Sequence, residues 1–321
     1  MVSTPTLNTI ERVASSLFGQ IVRTPTVAYT GAPMEGLEDS ELFIKLEMLQ
    51  HSGSFKARGA LNSISALTNK SNGVTAFSAG NHAIAIAFAA KKLGVSAKVV
   101  MPQSANPFRV ERCRYWGADV LFGESISDLM SIVDSLVQED NRTLIHPYDG
   151  EQTIEGTATV GLELCQDIPE LDVVIVPVGG GGLIAGIASA VKQLQPSCKV
   201  IGVEPAGACG MSRSINDGRP LSQVEPVSIA DSLSAPMHLP MAFSLVQQHV
   251  DELVQVSDDQ LRNGMRFMFN EMKLAVEPAC AAATAALQGP LRNSLAGKRI
   301  ALIGCGSNID LTTYNALLHT D

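Results

Sequence analysis

Aromatic residues make up only 5% of the 321-residue chain, with a single tryptophan, and charged residues only 17%. So little charge beside 45% apolar residues excludes an intrinsically disordered chain, and the shortage of rings argues against an all-β sandwich. Basic residues are outnumbered 23 to 32, and the resulting net charge of −9 opposes a phosphate backbone, so nucleic acid is not an expected partner. Long apolar runs are absent. Segments such as 173–178 fall far short of the ~18 residues that cross a bilayer, so no membrane association is expected. The first twenty residues lack the basic stretch and apolar core of a secretory leader. Six cysteines (Cys113, Cys165, Cys198, Cys209, Cys280 and Cys305) include no C-x-x-C pair and no cluster with histidine. That speaks against a zinc site or a disulfide framework and for reduced thiols in the cytoplasm.

What is present is a mildly apolar chain, mean hydropathy +0.16, long enough for about two domains at roughly 150 residues each. Ala, Val, Ile and Gly recur in short runs, which suits buried parallel strands. Strand-length apolar runs alternate with helix-length amphipathic stretches, the pattern of βαβ units. Residues 43–47, 74–77, 97–101, 119–122, 143–145, 173–178, 199–204 and 299–303 read as strands, and 81–93, 107–116 and 183–194 as helices. Residues 205–235, rich in Gly, Ser, Pro and Asp, read mostly as connection. Residues from about 47 to 150 make one compact α/β unit on this reading.

Gly179, Gly180, Gly181 and Gly182 follow an apolar strand and precede a helix. Backbone N–H groups at a helix N-terminus form an anion cradle, and a plain turn needs fewer glycines. Two phosphates suit it. Gly180-x-Gly182-x-x-Ala185 fits a dinucleotide fingerprint, with Glu204 about twenty residues on where a ribose-binding acid stands, which points to a nicotinamide-dependent oxidoreductase. Lys56 lies in Ser-Gly-Ser-Phe-Lys-Ala-Arg-Gly at a helix start. There the helix dipole and burial both disfavour its ammonium and lower its pKa, which suits Schiff-base chemistry.

Five segments in order, around Lys56, Ser78-Ala79-Gly80-Asn81-His82, His146-Pro147-Tyr148-Asp149, the glycine run, and Ile229-Ala230-Asp231 with Glu277-Pro278, carry a likeness. The sequence resembles the fold-type II pyridoxal-phosphate enzymes of the serine/threonine dehydratase and serine racemase group. The resemblance implies an α/β fold of two open twisted sheets flanked by helices, a small domain (47–149) inserted in a large one (1–46 and 150–321), and a homodimer. It implies pyridoxal 5'-phosphate as cofactor and a small amino-acid substrate. By the same likeness Lys56 holds the cofactor as a Schiff base and removes the substrate α-proton, and Phe55 packs under the ring. Asn81 bonds the ring 3'-oxygen, and Gly179, Gly180, Gly181, Gly182 and Leu183 take the phosphate, which replaces the dinucleotide reading. Ser78, Ala79, Gly80, Asn81 and His82 take the substrate carboxylate, and Glu277 lies near the ring. Cys305 stands at the place of the ring-nitrogen partner, with Ser307 as the alternative.

The activity implied is a lyase: a serine/threonine ammonia-lyase that converts L-threonine or L-serine to a 2-keto acid and ammonia. Hydroxyaspartate dehydratase and serine racemase are the alternatives within the family. Racemases of the group carry serine where Ala79 stands, so dehydration is expected to dominate. Cation-binding relatives carry an acid where Gly210 stands, opposite Glu204 and Ala208, and no metal is assigned. The length leaves no place for the regulatory domain of biosynthetic relatives, so feedback control is not expected.

Overall fold

The computed structural model describes residues 3–32 and 34–319. Among them run ten strands: β1 (Thr26–Ala28), β2 (Glu41–Leu46), β3 (Val74–Phe77), β4 (Ala97–Pro102), β5 (Asp119–Gly123), β6 (Thr143–Leu144), β7 (Val173–Pro177), β8 (Lys199–Pro205), β9 (Glu252–Val256) and β10 (Arg299–Gly304). They form a six-stranded sheet in the order β1-β2-β10-β7-β8-β9 and a four-stranded sheet in the order β5-β4-β3-β6. Every neighbouring pair is parallel except β1, which runs antiparallel to β2 with Thr26 opposite Lys45. The expected α/β class with two helix-flanked sheets is what the chain adopts. Strand β7, Val-Val-Ile-Val-Pro, is buried at every residue, because helices cover both faces of a parallel sheet and leave no polar side.

All four strands of the smaller sheet fall between β2 and β7 in sequence. The helix Leu7–Leu17 packs against helices of the larger unit and joins the core of the smaller sheet. Its Ile10 packs with Ala158, Leu162 and Ala190, while Val13 and Leu17 join Leu61 and Ile64 in the core of the smaller sheet. The helix Lys56–Ser65 crosses the helix Glu151–Asp167 glycine on glycine: a Cβ on Gly156 would lie 2.7 Å from the Gly59 backbone. That close approach fixes Lys56 relative to the larger sheet.

Several elements lie outside the expected pattern, among them β1 and the helix Leu7–Leu17. Residues 210–217, read as connection, form the helix Gly210–Asp217. Its Gly, Ser, Asn and Asp content is poor in helix formers, and buried Glu204 supplies the missing stability by accepting from the Met211 and Ser212 N–H groups at 2.8 and 2.9 Å. The edge strand β9 and the helix Ile126–Gln138, entered through a Ser125–Asp128 capping box, have half-exposed or alternating faces that apolar runs do not flag. No helix among the described residues is long and apolar enough to cross a membrane.

Parallel strands deliver their functional loops at one edge. Ser78, Gly179 and Cys305 stand one or two residues beyond β3, β7 and β10, and Lys56 stands ten residues beyond β2, so the loops gather at the C-terminal ends of the strands, where open α/β sheets bind ligands.

Candidate active site

Lys56 is the first residue of its helix. The loop before it is stitched to the end of β10: Phe55 N–H donates to the Cys305 carbonyl (3.1 Å), and Ser307 N–H donates to the Gly53 carbonyl (3.0 Å). Segments from opposite ends of the chain thus build one wall. The Lys56 Nζ donates to the Pro147 carbonyl at 2.5 Å. Burial pulls its pKa from 10.5 down to about 8, against the opposite pull of the Glu277 carboxylate, so an appreciable fraction of neutral amine exists near pH 7.

Facing it, Gly179, Gly180, Gly181, Gly182 and Leu183 line the same cavity of about 280 Å³. The helix Gly182–Leu194 starts there, and its first-turn N–H groups have no partner within the helix. Gly181 has φ +92°, and a Cβ on Gly180 would overlap the Tyr148 ring. Tyr148 is itself fixed, its hydroxyl donating to the Met237 carbonyl at 2.8 Å. Overpacking of this kind costs about 1–3 kcal/mol, so Gly180→Ala is expected to weaken cofactor retention by roughly 5- to 150-fold. Bound cofactor after dialysis, read by absorbance, checks this.

Asn81 opens the helix Asn81–Leu93. Its Nδ2 donates to Glu277 Oε1 at 2.6 Å, and its Oδ1 accepts from Asn308 Nδ2 at 2.6 Å. Glu277 is fully buried; burial raises its pKa, and the Arg109 guanidinium opposes that rise. Cys305 lines the cavity, whereas the Ser307 hydroxyl is engaged with the Ala275 carbonyl. Of the two candidates, the thiol is the one in the site. Contact with Cys280, then burial, pushes it well above the usual thiol range, so it stays protonated and neutral.

All five residues expected to take a carboxylate, Ser78 to His82, line the cavity, and two of their amides are engaged. Ser78 N–H donates to the Val100 carbonyl and Gly80 N–H to the Ser78 hydroxyl, which leaves the Ala79, Asn81 and His82 amides at the helix start. The His82 ring is buried, bonded to the Ile145 carbonyl at 2.8 Å, and burial lowers its pKa to about 3. It is a neutral strut. Glu204, the acid of the dinucleotide reading, is occupied by Met211 and Ser212, whose hydroxyl donates at 2.5 Å, so it is not free for a ribose. No group of three or more His, Cys, Asp or Glu among the described residues is placed to hold a metal ion.

Sequence reasoning missed the mouth of the cavity. Phe77, Pro102 and Leu129 give it an apolar wall on the smaller sheet, Leu233, Ala235 and Pro236 face from the larger, and Arg109 pairs with Asp231 between them. Asp231 was visible as part of a motif, but nothing local in the sequence links it to Arg109.

The assembled groups suit a phosphorylated, aldehyde-bearing aromatic ring. An anion cradle stands in the same cavity as a lysine of depressed pKa, and uncharged Cys305 and bonded Asn81 lie along the wall between. A family model described as "Pyridoxal-phosphate dependent enzyme" matches residues 17–306. The chain is 48% identical over 297 residues to phenylserine dehydratase of Ralstonia pickettii, covering 92% of this chain and 91% of the relative. It is 39% identical over 281 residues to the catabolic L-threonine dehydratase of Escherichia coli K12, covering 86% and 85%. Maize serine racemase superposes with a TM-score of 0.90 at 34% identity, covering 99% of both chains. With a lysine, a glycine cradle and a buried asparagine meeting at the strand ends, and relatives of this closeness along nearly its whole length, the chain belongs to the pyridoxal-phosphate dependent enzymes, in the branch of the serine and threonine dehydratases and serine racemases.

Proposed function

We propose that the protein is a dehydratase of β-hydroxy α-amino acids that accepts L-threonine and L-serine and favours an apolar β-substituent up to the size of a phenyl ring. The observation that carries the reaction is the meeting of Lys56, the 179–183 run and the Asn81 helix start in one cavity. Bound pyridoxal phosphate supplies the electron sink for charge that develops at the substrate Cα. Lys56, deprotonated in part because burial disfavours its ammonium, takes the Cα proton at Nζ. The amides at the start of the Asn81–Leu93 helix hold the carboxylate. Ala79 presents a methyl group, so no second acid beside it returns a proton to the other face. Loss of the β-hydroxyl then outruns racemisation, and hydrolysis of the released unsaturated amine gives a 2-keto acid and ammonia.

Two features support the substrate preference. The wall formed by Phe77, Pro102 and Leu129 is apolar, and each phenyl-sized group buried there gains about 1.5–3 kcal/mol over leaving it in water. Of the two cations that line the cavity, Lys56 serves the chemistry and Arg109 is already paired with Asp231, so no free cation awaits the second carboxylate of 3-hydroxyaspartate. The 48% identity to a phenylserine dehydratase points the same way.

The test is keto-acid release from serine, threonine, threo- and erythro-3-phenylserine, and 3-hydroxyaspartate. Phenylserine is expected to exceed serine in kcat/KM by about tenfold or more, with hydroxyaspartate lowest and D-serine not accumulating from L-serine. Leu129→Arg should reverse the order of phenylserine and hydroxyaspartate. Absence of keto acid from every substrate, or D-serine as the main product, overturns the reading.

A further inference from the structure

Arg109 is almost fully buried and touches more of the site's polar groups than any role above uses. It lies on the helix Pro107–Tyr115, which belongs with the smaller sheet. Its Nη1 and Nη2 both donate to the Asp231 carboxylate, the latter at 3.2 Å. Its Nε donates to the Asn308 carbonyl at 2.9 Å, and Nη2 stands 3.8 Å from Glu277 Oε2. From there a closed ring of hydrogen bonds returns to Asp231. Asn308 N–H donates to Glu277 Oε2 (3.2 Å) and Asn308 Nδ2 to Asn81 (2.6 Å). Asn81 Nδ2 in turn reaches Ser232 Oγ (3.4 Å), which donates to Asp231 Oδ1 (3.3 Å). A Cβ on Gly80 would lie only 3.0 Å from Arg109 Nη1, so the guanidinium also backs the turn that opens the Asn81 helix.

We propose that Arg109 is a positioning residue for the reaction, setting the exposed mouth of the cavity (Asp231 and Ser232) and its buried floor (Glu277, Asn308 and Asn81) with one planar fork. The two ends differ in cost. Asp231 is half in water, where an ion pair is weak. Glu277 and Asn308 are buried, where a displaced partner leaves a polar group unsatisfied. Loss of Asp231 therefore disturbs substrate entry alone, while loss of the guanidinium disturbs both ends. Lysine cannot substitute, because a single ammonium cannot span Asp231 and the Asn308 carbonyl in the fork's geometry.

The inference takes its substrate from the dehydratase reading, and the experiment separates the two. Holoenzyme carrying Arg109→Met, Arg109→Lys or Asp231→Asn is compared with the parent in kcat and KM per bound cofactor and in the visible absorbance maximum of that cofactor. Arg109→Met is expected to lower kcat by about 30-fold or more, the scale of effect that follows small misplacement of reacting groups, and to move the absorbance maximum. Arg109→Lys should follow it. Asp231→Asn should raise KM about tenfold with kcat within roughly threefold and the absorbance unmoved. If Arg109→Met fails to fold, Arg109→Lys with parental kcat, KM and spectrum overturns the proposal, as does an Arg109→Met enzyme that loses only thermal stability. If no amino acid is turned over, the dehydratase reading fails. The spectra of the two arginine variants then decide: a moved maximum supports the positioning role, an unmoved one overturns it.

Discussion

Lys56→Ala should abolish keto-acid release, lowering kcat by about 10⁴-fold or more, because a covalent catalyst and proton acceptor are removed together. The fold should survive. Lys56 occupies the first position of its helix, its Nζ makes one hydrogen bond to the Pro147 carbonyl, and its ammonium is disfavoured where it stands, so truncation relieves a charge rather than strands one. The variant incubated with pyridoxal phosphate should lose the visible absorbance that resists dialysis in the parent. An independent readout uses the protein without cofactor. Reductive methylation by formaldehyde requires the neutral amine, so the rate at Lys56 should rise with pH and level off above about 8, while ordinary surface lysines continue to gain until about 10.4. A variant within tenfold of parental turnover, or a Lys56 that titrates with the surface lysines, would remove the amine from the centre of the mechanism.

Much of that centre was legible from the sequence because it is local. A buried strand, four glycines and a helix follow one another within twenty residues, and Phe-Lys-Ala-Arg-Gly places the lysine at a helix start with small neighbours. The periodicities of 2 and 3.6 that separate strand from helix are equally local, so β3, β4, β7, β8 and β10 were found nearly to the residue. What escaped depends on contacts that periodicity does not carry. The helix Gly210–Asp217 exists because Glu204, seven and eight residues before the amides it accepts from, caps it, and helix propensity does not register such a contact. Cys305 could not be separated from Ser307 until the end of β10 fixed which side chain faced inward. Arg109 and Asp231 are 122 positions apart, and each alone reads as a solvated charge. The apolar wall of Phe77, Pro102 and Leu129 comes from the ends of β3 and β4 and from the helix Ile126–Gln138, so substrate preference was the part of function least visible in the chain.

Arg58 is the extreme case, and its removal is expected to have the largest effect on stability. Two residues beyond Lys56, it is fully buried, although a charged residue in an amphipathic helix ordinarily reads as a surface group. Its Nε and Nη2 donate to both oxygens of Glu47 at 2.8 and 2.7 Å. Nη1 and Nη2 donate to both oxygens of Glu163 at 2.7 and 2.8 Å. Buried Lys45 completes the set, donating to Glu163 at 2.7 Å and to Asp167 at 3.4 Å, and Arg23 pairs with Asp167 at 2.6 Å, so three cations face three anions with no net charge. Such a cluster gains little over apolar packing, but deleting one member strands the rest, at about 3–5 kcal/mol. Arg58→Met should therefore lower stability by that amount at pH 7, read as a fall in the denaturant midpoint at unchanged slope. Neutralising the stranded Glu47 as well, in Arg58→Met/Glu47→Gln, removes one charge of each sign, leaves Glu163 its Lys45 partner, and should recover a large part of it. The sign with pH follows from Glu163: burial pushes its pKa up, but Arg58 and Lys45 outweigh burial and hold it below its ordinary 4.5. Its contribution is therefore complete above pH 4.5 and is lost as pH falls through the depressed value, so the gap between parent and Arg58→Met should narrow in acid. A gap independent of pH, or a double variant no more stable than the single, would mean that Arg58 acts by shape and not by charge. Because the same guanidinium anchors the first turn of the Lys56 helix to the helix Glu151–Asp167, the surviving folded fraction of Arg58→Met should also show reduced kcat, linking the most buried ion cluster of the fold to the placement of its reactive amine.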